Sequence, residues 1–240
     1  MKILFFGNSL IHGSYGVDYL KLIKKDKPEW ELVNQAKNGE TFNVIAGRLL
    51  ELLQKDHSFD AIVLEGGSND ILLPHFKERR GLFGFAYNIQ INKGFYPLTS
   101  EKEFDSKLRE TISQIKEKHG GILILTTIGC ISENLQDILN EKRKSYNKRI
   151  RQVAKDENIF LADCALEYEK ILGQITPNKY CLDSFISASF LDRIISQFKN
   201  EPAFLSRKRN LTLTIDGVHL NMDGALIYKK NISKKLKSIK

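Results

Sequence analysis

The sequence KILFFGNSL at residues 2–10 determines the fold that we expect for this chain. Its apolar run is nearly continuous, which is typical of a parallel strand covered on both faces. Gly7 ends the run, and Asn8 and Ser9 follow directly. Ligands of parallel sheets bind at the carboxyl ends of the strands, so a serine at this position is expected to face a substrate.

Four further apolar runs resemble residues 2–6 and are predicted to be buried strands. They lie at residues 31–34, 60–65, 121–127 and 158–162. Amphipathic helical segments lie between them, and the segment 42–55 has Thr41 available as its cap. This alternation predicts parallel βαβ units with right-handed crossovers, and therefore a three-layer α/β/α fold.

Length and composition favour one domain over residues 1–240, because 42% hydrophobic residues supply enough material for one substantial core. Two segments, 71–99 and 172–209, are longer than usual connections. Each either folds over the site as a lid or packs against the sheet edge. The second segment contains a predicted helix with one apolar stripe, formed by Phe190, Leu191, Ile194, Ile195 and Phe198.

The net charge of +8 is spread over several lysine- and arginine-rich runs. None has the aromatic interleaving of an RNA-binding strand, so solvated helix faces explain them and no nucleic-acid partner is predicted. The separated cysteines Cys130, Cys164 and Cys181 indicate neither a disulfide framework nor a zinc site. No apolar run has signal-peptide or membrane-span length, so we expect a cytoplasmic protein without stable membrane insertion.

Two interpretations of Ser9 remain open when it is considered alone. Residues 15–25 are predicted to form a helix after Gly13, which would place Ser9 near a helix N-terminus. Backbone N–H groups there would favour a developing oxyanion, so Ser9 could be a nucleophile. It could equally cap the helix.

A second candidate group lies near the other end of the sequence, at Asp216-Gly217-Val218-His219. An aspartate three residues before a histidine can bond one imidazole nitrogen and leave the other free to accept a serine proton. Asn221 is predicted to cap a final helix that begins near Met222. Together with a serine after a strand, this pattern indicates a Ser-His-Asp triad.

Acyl transfer also requires hydrogen-bond donors for the oxyanion of the tetrahedral intermediate. Asn38-Gly39 follows the second predicted strand, and a glycine there allows its backbone N–H to point into the site. Gly66-Gly67-Ser68-Asn69-Asp70 follows the third strand, and the carboxamide of Asn69 could donate. Taken separately, these segments are ordinary turn glycines and a polar loop.

In order along the chain, Gly7-Asn8-Ser9-Leu10, Gly39, Gly67-Ser68-Asn69-Asp70 and Asp216-Gly217-Val218-His219 resemble the four sequence blocks of the SGNH, or GDSL, hydrolases. The resemblance implies a flavodoxin-like fold with strand order 2-1-3-4-5. It also implies Ser9 as nucleophile, His219 as base and Asp216 as its partner, with oxyanion donors from Ser9, Gly39 and Asn69. Asn8 departs from the aspartate usual before the nucleophile.

These observations predict a serine esterase that hydrolyses a small-molecule carboxylic ester, and short-chain acyl or O-acetyl esters are the substrates we expect before any others. No cofactor or metal is predicted. An SGNH-type acyltransferase, a thioesterase and a lysophospholipase use the same chemistry. From a different class, a non-catalytic glycan- or nucleic-acid-binding module would keep the fold. The sequence does not indicate an oligomeric state.

His12 is the main rival base because it lies three residues beyond Ser9, but no carboxylate is obviously placed to orient it. His57, His75 and His119 occur in polar sequence and are expected to be exposed. No two histidines have the spacing of metal ligands, so no metal site is predicted.

Overall fold

A sheet of five parallel strands forms the centre of the structure, a computed structural model that describes residues 1–183, 192–196 and 201–238. The strands are β1 (Lys2–Phe6), β2 (Glu31–Asn34), β3 (Ala61–Leu64), β4 (Ile122–Thr126) and β5 (Phe160–Ala162). Their order is β2-β1-β3-β4-β5, as expected. Leu4 of β1 pairs with Val33 on one side and Ile62 on the other, so β1 is an interior strand.

Helices follow the strands and cover both faces of the sheet. They are α1 (Ser9–His12), α2 (Tyr19–Asp26), α3 (Phe42–Leu53), α4 (Ser68–Arg79), α5 (Gly81–Asn92), α6 (Glu101–Lys118), α7 (Ile138–Asp156), α8 (Cys164–Leu172), α9 (Asp192–Ser196), α10 (Glu201–Lys208) and α11 (Met222–Lys237). Side chains of a strand point alternately to opposite faces. Accordingly, Leu4 and Phe6 join a core with α3, α6 and α7, whereas Ile3 and Phe5 join a core with α2, α8 and α11. The three-layer α/β/α architecture is therefore confirmed.

Two helix caps were predicted from the sequence, and their geometries differ. Asn221 caps α11, since its side chain accepts a 3.0 Å hydrogen bond from the backbone N–H of Gly224. Thr41 occupies the N-cap position of α3, but its hydroxyl makes no capping bond. The N–H of Phe42, in the first turn of α3, is instead bound at 2.8 Å by the carboxylate of Asp70.

The long segment 71–99 is mostly helical, because α4 and α5 occupy most of it. Pro74 lies inside α4. Proline has no backbone N–H to donate and is unfavourable in a helix interior. The two helices pack closely against each other, with the Phe76 and Phe83 rings 5.2 Å apart. In the segment 172–209, α9 and α10 are described, whereas Phe190, Leu191 and Phe198 of the predicted stripe lie outside the described residues.

The aromatic group around Phe104 permits a direct test of core packing. Phe104 is almost fully buried, with its ring 5.2 Å from that of Phe42 and 4.5 Å from that of Tyr146. Replacing Phe104 by Ala should lower the free energy of unfolding by about 3 to 5 kcal/mol, measured by urea denaturation. Phe85→Ala, at a position that is 61% exposed, is the matched control and should change it by no more than about 0.5 kcal/mol. Equal effects of the two substitutions would contradict this core assignment.

Candidate active site

Ser9 lies at the carboxyl end of β1, as the first residue of the one-turn helix α1. Asn8 is the N-cap, and its side-chain oxygen accepts a 3.1 Å bond from the N–H of Leu10. Residue 7 must be a glycine because the backbone of Glu65 lies close to it: a Cβ at this position would be 2.8 Å from the carbonyl oxygen of Glu65. The prediction that Ser9 lies near a helix N-terminus is correct. The helix is α1, however, and not the helix that was predicted at residues 15–25.

The helix predicted at residues 15–25 begins later, at Tyr19, and Asp18 is its cap. Two glycines separate it from α1. Gly13 ends α1 at a φ of 74°, and Gly16 has a φ of 73°. A Cβ at Gly16 would lie 2.1 Å from the carbonyl oxygen of Leu220, so only glycine lets these two segments approach so closely. The turn therefore brings the chain after Ser9 against the segment that carries His219.

His219 is hydrogen-bonded to both Ser9 and Asp216. Its Nε2 lies 3.0 Å from Oγ of Ser9, and its Nδ1 lies 2.6 Å from Oδ2 of Asp216. The ring of Tyr15 stacks on the imidazole, with centroids 4.7 Å apart and planes at 22°. Three side chains from two distant parts of the sequence thus form one continuous chain of hydrogen bonds. Tyr15 was not identified from the sequence, because a stacking partner leaves no sequence pattern.

Asp216 is fully buried and held by the turn that it begins. Its Oδ1 accepts hydrogen bonds from the N–H groups of Val218 (2.9 Å) and His219 (2.7 Å). Burial opposes ionisation of Asp216, but the charge and hydrogen bonds of His219 and the Val218 N–H outweigh it, so the pKa is below its ordinary value. This carboxylate is thus suited to fix the orientation of the imidazole and to stabilise its protonated form.

Glu133, in the segment between β4 and α7, holds the backbone that leads to Asp216. Its buried carboxylate accepts bonds of 2.7 to 2.8 Å from the N–H groups of Thr212, Leu213 and Thr214 and from the hydroxyl of Thr214. The Thr214 hydroxyl in turn accepts a 3.0 Å bond from the N–H of Gly217. Glu133 therefore acts on the position of His219 through the backbone. Sequence reasoning missed it because its contacts are about 80 positions away.

Gly39 and Asn69, the other two predicted site residues, line one cavity of about 320 Å³ with Ser9 and His219. Gly39 has a φ of 80°, which favours glycine. One N–H of the Asn69 carboxamide donates to the carbonyl oxygen of Glu40 at 2.9 Å, which fixes the side chain. Its second N–H remains available to a ligand. The structure thus brings these residues to the same edge of the sheet as Ser9.

A buried polar network lies behind Ser9. The Asn8 amide donates to Oε1 of Glu65 at 3.2 Å and to the hydroxyl of Ser68 at 2.7 Å. Burial raises the pKa of Glu65 to about 7, although hydrogen bonds from Asn8 partly oppose the shift. Asn8 can donate these bonds at any pH, whereas an ionised aspartate could not. Asn8 is thus a suitable neighbour for the Glu65 carboxyl group, because its amide donates to that group without adding a second negative charge.

Apolar and polar side chains both line the rest of the cavity. The apolar ones are Leu72, Leu73 and Phe76 of α4, Phe83 and Ala86 of α5, and Leu182 and Val218. The polar ones include Tyr15, Asn38, Gln90 and Lys93. Of the two alternatives for segment 71–99, the described contacts favour a position over the site, because both of its helices line the cavity.

The remaining histidines do not join the site. His12 ends α1 and is not among the residues lining the cavity. His57 is exposed and His75 partly exposed, but the expectation that His119 is exposed is wrong: it is buried, and burial lowers its pKa. Across the ranges that the structure describes, no group of histidine, cysteine and acidic side chains could hold a metal ion. No helix within those ranges is long and apolar enough to cross a membrane.

The fold and these contacts define a flavodoxin-like α/β protein with a serine, histidine and aspartate aligned at the sheet edge. The model of the GDSL-like Lipase/Acylhydrolase family matches residues 5–226, and the chain belongs to this family. The family, also called SGNH, is the one that the sequence blocks resemble. By sequence, no curated protein matches the chain.

Several solved structures have the same fold at low sequence identity. The acetyl xylan esterase AlAXEase is 19% identical with a TM-score of 0.65, and the match covers 98% of this chain and all of that one. Axe2, an acetylxylan esterase from Geobacillus stearothermophilus, is 19% identical with a TM-score of 0.63, covering 98% and 93%. LAE5, an alpha/beta hydrolase enzyme from the metagenome of Lake Arreo, Spain, is 16% identical with a TM-score of 0.64, covering 100% and 96%. At these identities the similarity supports the fold.

The raised pKa of Glu65 makes a prediction about stability. Its carboxyl has an ordinary pKa of 4.5 and a folded pKa of about 7, so folding favours the protonated form. Its contribution to the free energy of unfolding is complete below pH 4.5 and is lost as the pH rises through 7. Relative to Glu65→Gln, the wild type should therefore lose about 3 kcal/mol between pH 4.5 and 8, measured by denaturant unfolding. Glu110→Gln, an exposed control, should keep the wild-type pH profile, and parallel profiles for wild type and Glu65→Gln would contradict the prediction.

Proposed function

We propose that this protein is a serine-dependent carboxylic ester hydrolase that works through a covalent acyl-enzyme. The observation that carries the proposal is the unbroken hydrogen-bond chain from Asp216 through His219 to Ser9. A serine hydroxyl is a weak nucleophile unless an adjacent base takes its proton. Here the base is within hydrogen-bond distance of the hydroxyl and is itself oriented by a buried carboxylate.

In the proposed reaction, Oγ of Ser9 attacks the ester carbonyl carbon while Nε2 of His219 takes the hydroxyl proton. The tetrahedral intermediate collapses when His219 gives that proton to the leaving alcohol, and the acyl group stays on Ser9. Water then attacks the acyl-enzyme with His219 again as base, which releases the acid and restores Ser9. Asp216 stays ionised throughout and stabilises the imidazolium that forms twice in each cycle.

The proposed oxyanion donors are the backbone N–H groups of Ser9 and Gly39 and the carboxamide of Asn69. Ser9 and Gly39 follow β1 and β2, and Asn69 follows β3, so the parallel sheet carries all three to one edge. The contact of Asn69 with the Glu40 carbonyl fixes its amide before a substrate arrives. Donors fixed in advance stabilise developing charge without reorganising, which is their main advantage over water.

For the substrate, we propose a small ester with a short acyl group, including O-acetyl esters. A cavity of about 320 Å³ is at the small end for a ligand site. The similar structures that are acetyl xylan esterases support this choice. Thioesterase, lysophospholipase and acyltransferase activities use the same acyl-enzyme. Turnover across a series of acyl chain lengths, with thioesters and added sugar or lipid acceptors, distinguishes them by rate and by product.

The catalytic assignment is tested by substitution of Ser9. Ser9→Ala should reduce hydrolysis of a short-chain aryl ester by about 10⁴-fold or more without unfolding the protein, and Asp216→Asn should cost about 10⁴-fold. Ser58→Ala, in an exposed loop, is the control and should keep wild-type activity. A fluorophosphonate probe should label the wild type and not Ser9→Ala. Undiminished turnover by Ser9→Ala would refute the proposal, and failure of the probe to label Ser9 would favour a non-catalytic binding module.

The oxyanion assignment is tested separately at Asn69. Asn69→Ala should lower kcat by about 10² to 10³, because the lost donor acts mainly on the charge that develops in the transition state. KM for the same aryl ester should change much less. Asn92→Ala, at an exposed position on α5, is the matched control. A large rise in KM with kcat preserved would indicate that Asn69 binds the ground state instead.

A further inference from the structure

Gln90 is a polar residue of the cavity to which the proposed reaction gives no role. It lies on the face of α5 that also carries Phe83 and Ala86, at positions i, i+3 and i+7. At a rise of 1.5 Å per residue, Gln90 is about 10 Å along the helix axis from Phe83. The apolar side chains of this helix face, Phe83 and Ala86, are therefore followed by a polar end formed by Gln90 and Lys93.

The Gln90 carboxamide lies against the proposed oxyanion donor Gly39. A Cβ built on Gly39 would be 3.4 Å from Oε1 of Gln90 and 3.5 Å from its Nε2. The backbone at Gln90 is fixed, since its carbonyl oxygen accepts bonds from the N–H groups of Lys93 (3.1 Å) and Phe95 (3.0 Å). The amide is thus held on the rigid end of a helix, beside the position where an ester carbonyl would bind.

The Gln90 oxygen is buried without a partner. Its Oε1 has essentially no solvent contact and accepts no hydrogen bond from any residue that the structure describes. A buried acceptor without a donor is unfavourable, so the carboxamide gains a hydrogen bond if it turns this oxygen toward a ligand in the cavity that Gln90 lines. The neighbouring Asn38 is different, because its side chain and the Ser14 hydroxyl bond each other at 2.9 and 3.3 Å.

We propose that the Gln90 carboxamide hydrogen-bonds a hydroxyl group of the substrate, so that the site takes esters of polyhydroxylated alcohols such as partly acylated sugars. An amide and a hydroxyl are complementary, because each both donates and accepts. A short acyl group carries no hydroxyl, so the hydroxyl belongs to the alcohol part of the ester. The inference rests on the proposed ester hydrolysis and assigns its alcohol specificity to Gln90.

The test compares two acetate esters of similar size, a monoacetylated methyl xyloside and cyclohexyl acetate, which lacks hydroxyl groups. The wild type should favour the xyloside in kcat/KM. Gln90→Met keeps the length and volume of the side chain but removes both hydrogen-bonding atoms. It should lower the ratio of the two kcat/KM values by about tenfold, mainly through KM for the xyloside.

Asn88→Met, at an exposed position on the same helix, is the control and should leave the ratio unchanged. Gln90→Met should also keep or raise Tm, because it removes a buried acceptor that has no partner, whereas a purely structural glutamine would lower Tm when replaced. Any of four results overturns the assignment. The ratio is unchanged in Gln90→Met, or it changes equally in Asn88→Met. Gln90→Met clearly loses Tm, or the wild type shows no preference for the xyloside. Those results leave the Ser9-dependent chemistry standing. Absence of turnover of both acetates by a wild type that hydrolyses the short-chain aryl ester would overturn this inference alone, whereas absence of turnover of all three esters would refute the proposed function as well.

Discussion

The 3.0 Å contact between Ser9 and His219 joins residues that are 210 positions apart in the chain, and the geometry of the candidate site depends on it. The sheet supplies one half of this constraint, because β1 is flanked by β2 and β3 and ends where the site begins. The segment before α11 supplies the other half. Its Leu220 carbonyl accepts a 2.8 Å bond from the N–H of Val17, which ties the chain after Ser9 directly to the chain around His219.

Buried carboxylates hold the irregular segments around this contact. Glu133 binds the backbone at Thr212 to Thr214. Asp70 accepts 2.8 Å bonds from the N–H groups of Phe42 and Leu98, so it joins the start of α3 to the end of the segment 71–99. Burial raises the pKa of Asp70 to about 6, against the effect of these bonds. Loop segments have no regular backbone pairing to hold them in place, so buried acidic side chains hold them instead. Burying these carboxylates is unfavourable unless they are hydrogen-bonded, as they are here.

The strands could be predicted because a strand covered on both faces has a continuous apolar sequence that a few residues suffice to define. Their order was implied by the resemblance of the sequence blocks to the SGNH hydrolases, since apolar runs alone do not order the strands. Ser9, Gly39, Asn69 and the Asp216–His219 pair could be proposed from the sequence because each lies in a short local pattern, the first three shortly after a strand. The helices α4 and α5 could not, since Pro74, Gly81 and Gly84 interrupt the expected periodicity. Their stability comes from packing against each other, which no local pattern encodes.

Other residues of the site were missed for a related reason. Tyr15, Gln90 and Glu133 have their relevant contacts with residues about 50 to 200 positions away, at His219, Gly39 and Thr214 respectively. A single sequence contains no trace of such distances. The late start of α2 also depends on a distant contact, because the turn at Gly16 is fitted to the carbonyl of Leu220.

The separation of Ser9 from His219 has a consequence for biosynthesis. At about 5 to 20 residues per second, a ribosome adds His219 roughly 10 to 40 s after Ser9. Throughout that interval the sheet strands can emerge in order while the Ser9 hydroxyl has no imidazole beside it. Two elements must then meet, the turn at Gly16 and the segment held by Glu133. The complete site is thus a property of the finished fold, and a nascent or truncated chain carries only a serine at the end of a strand.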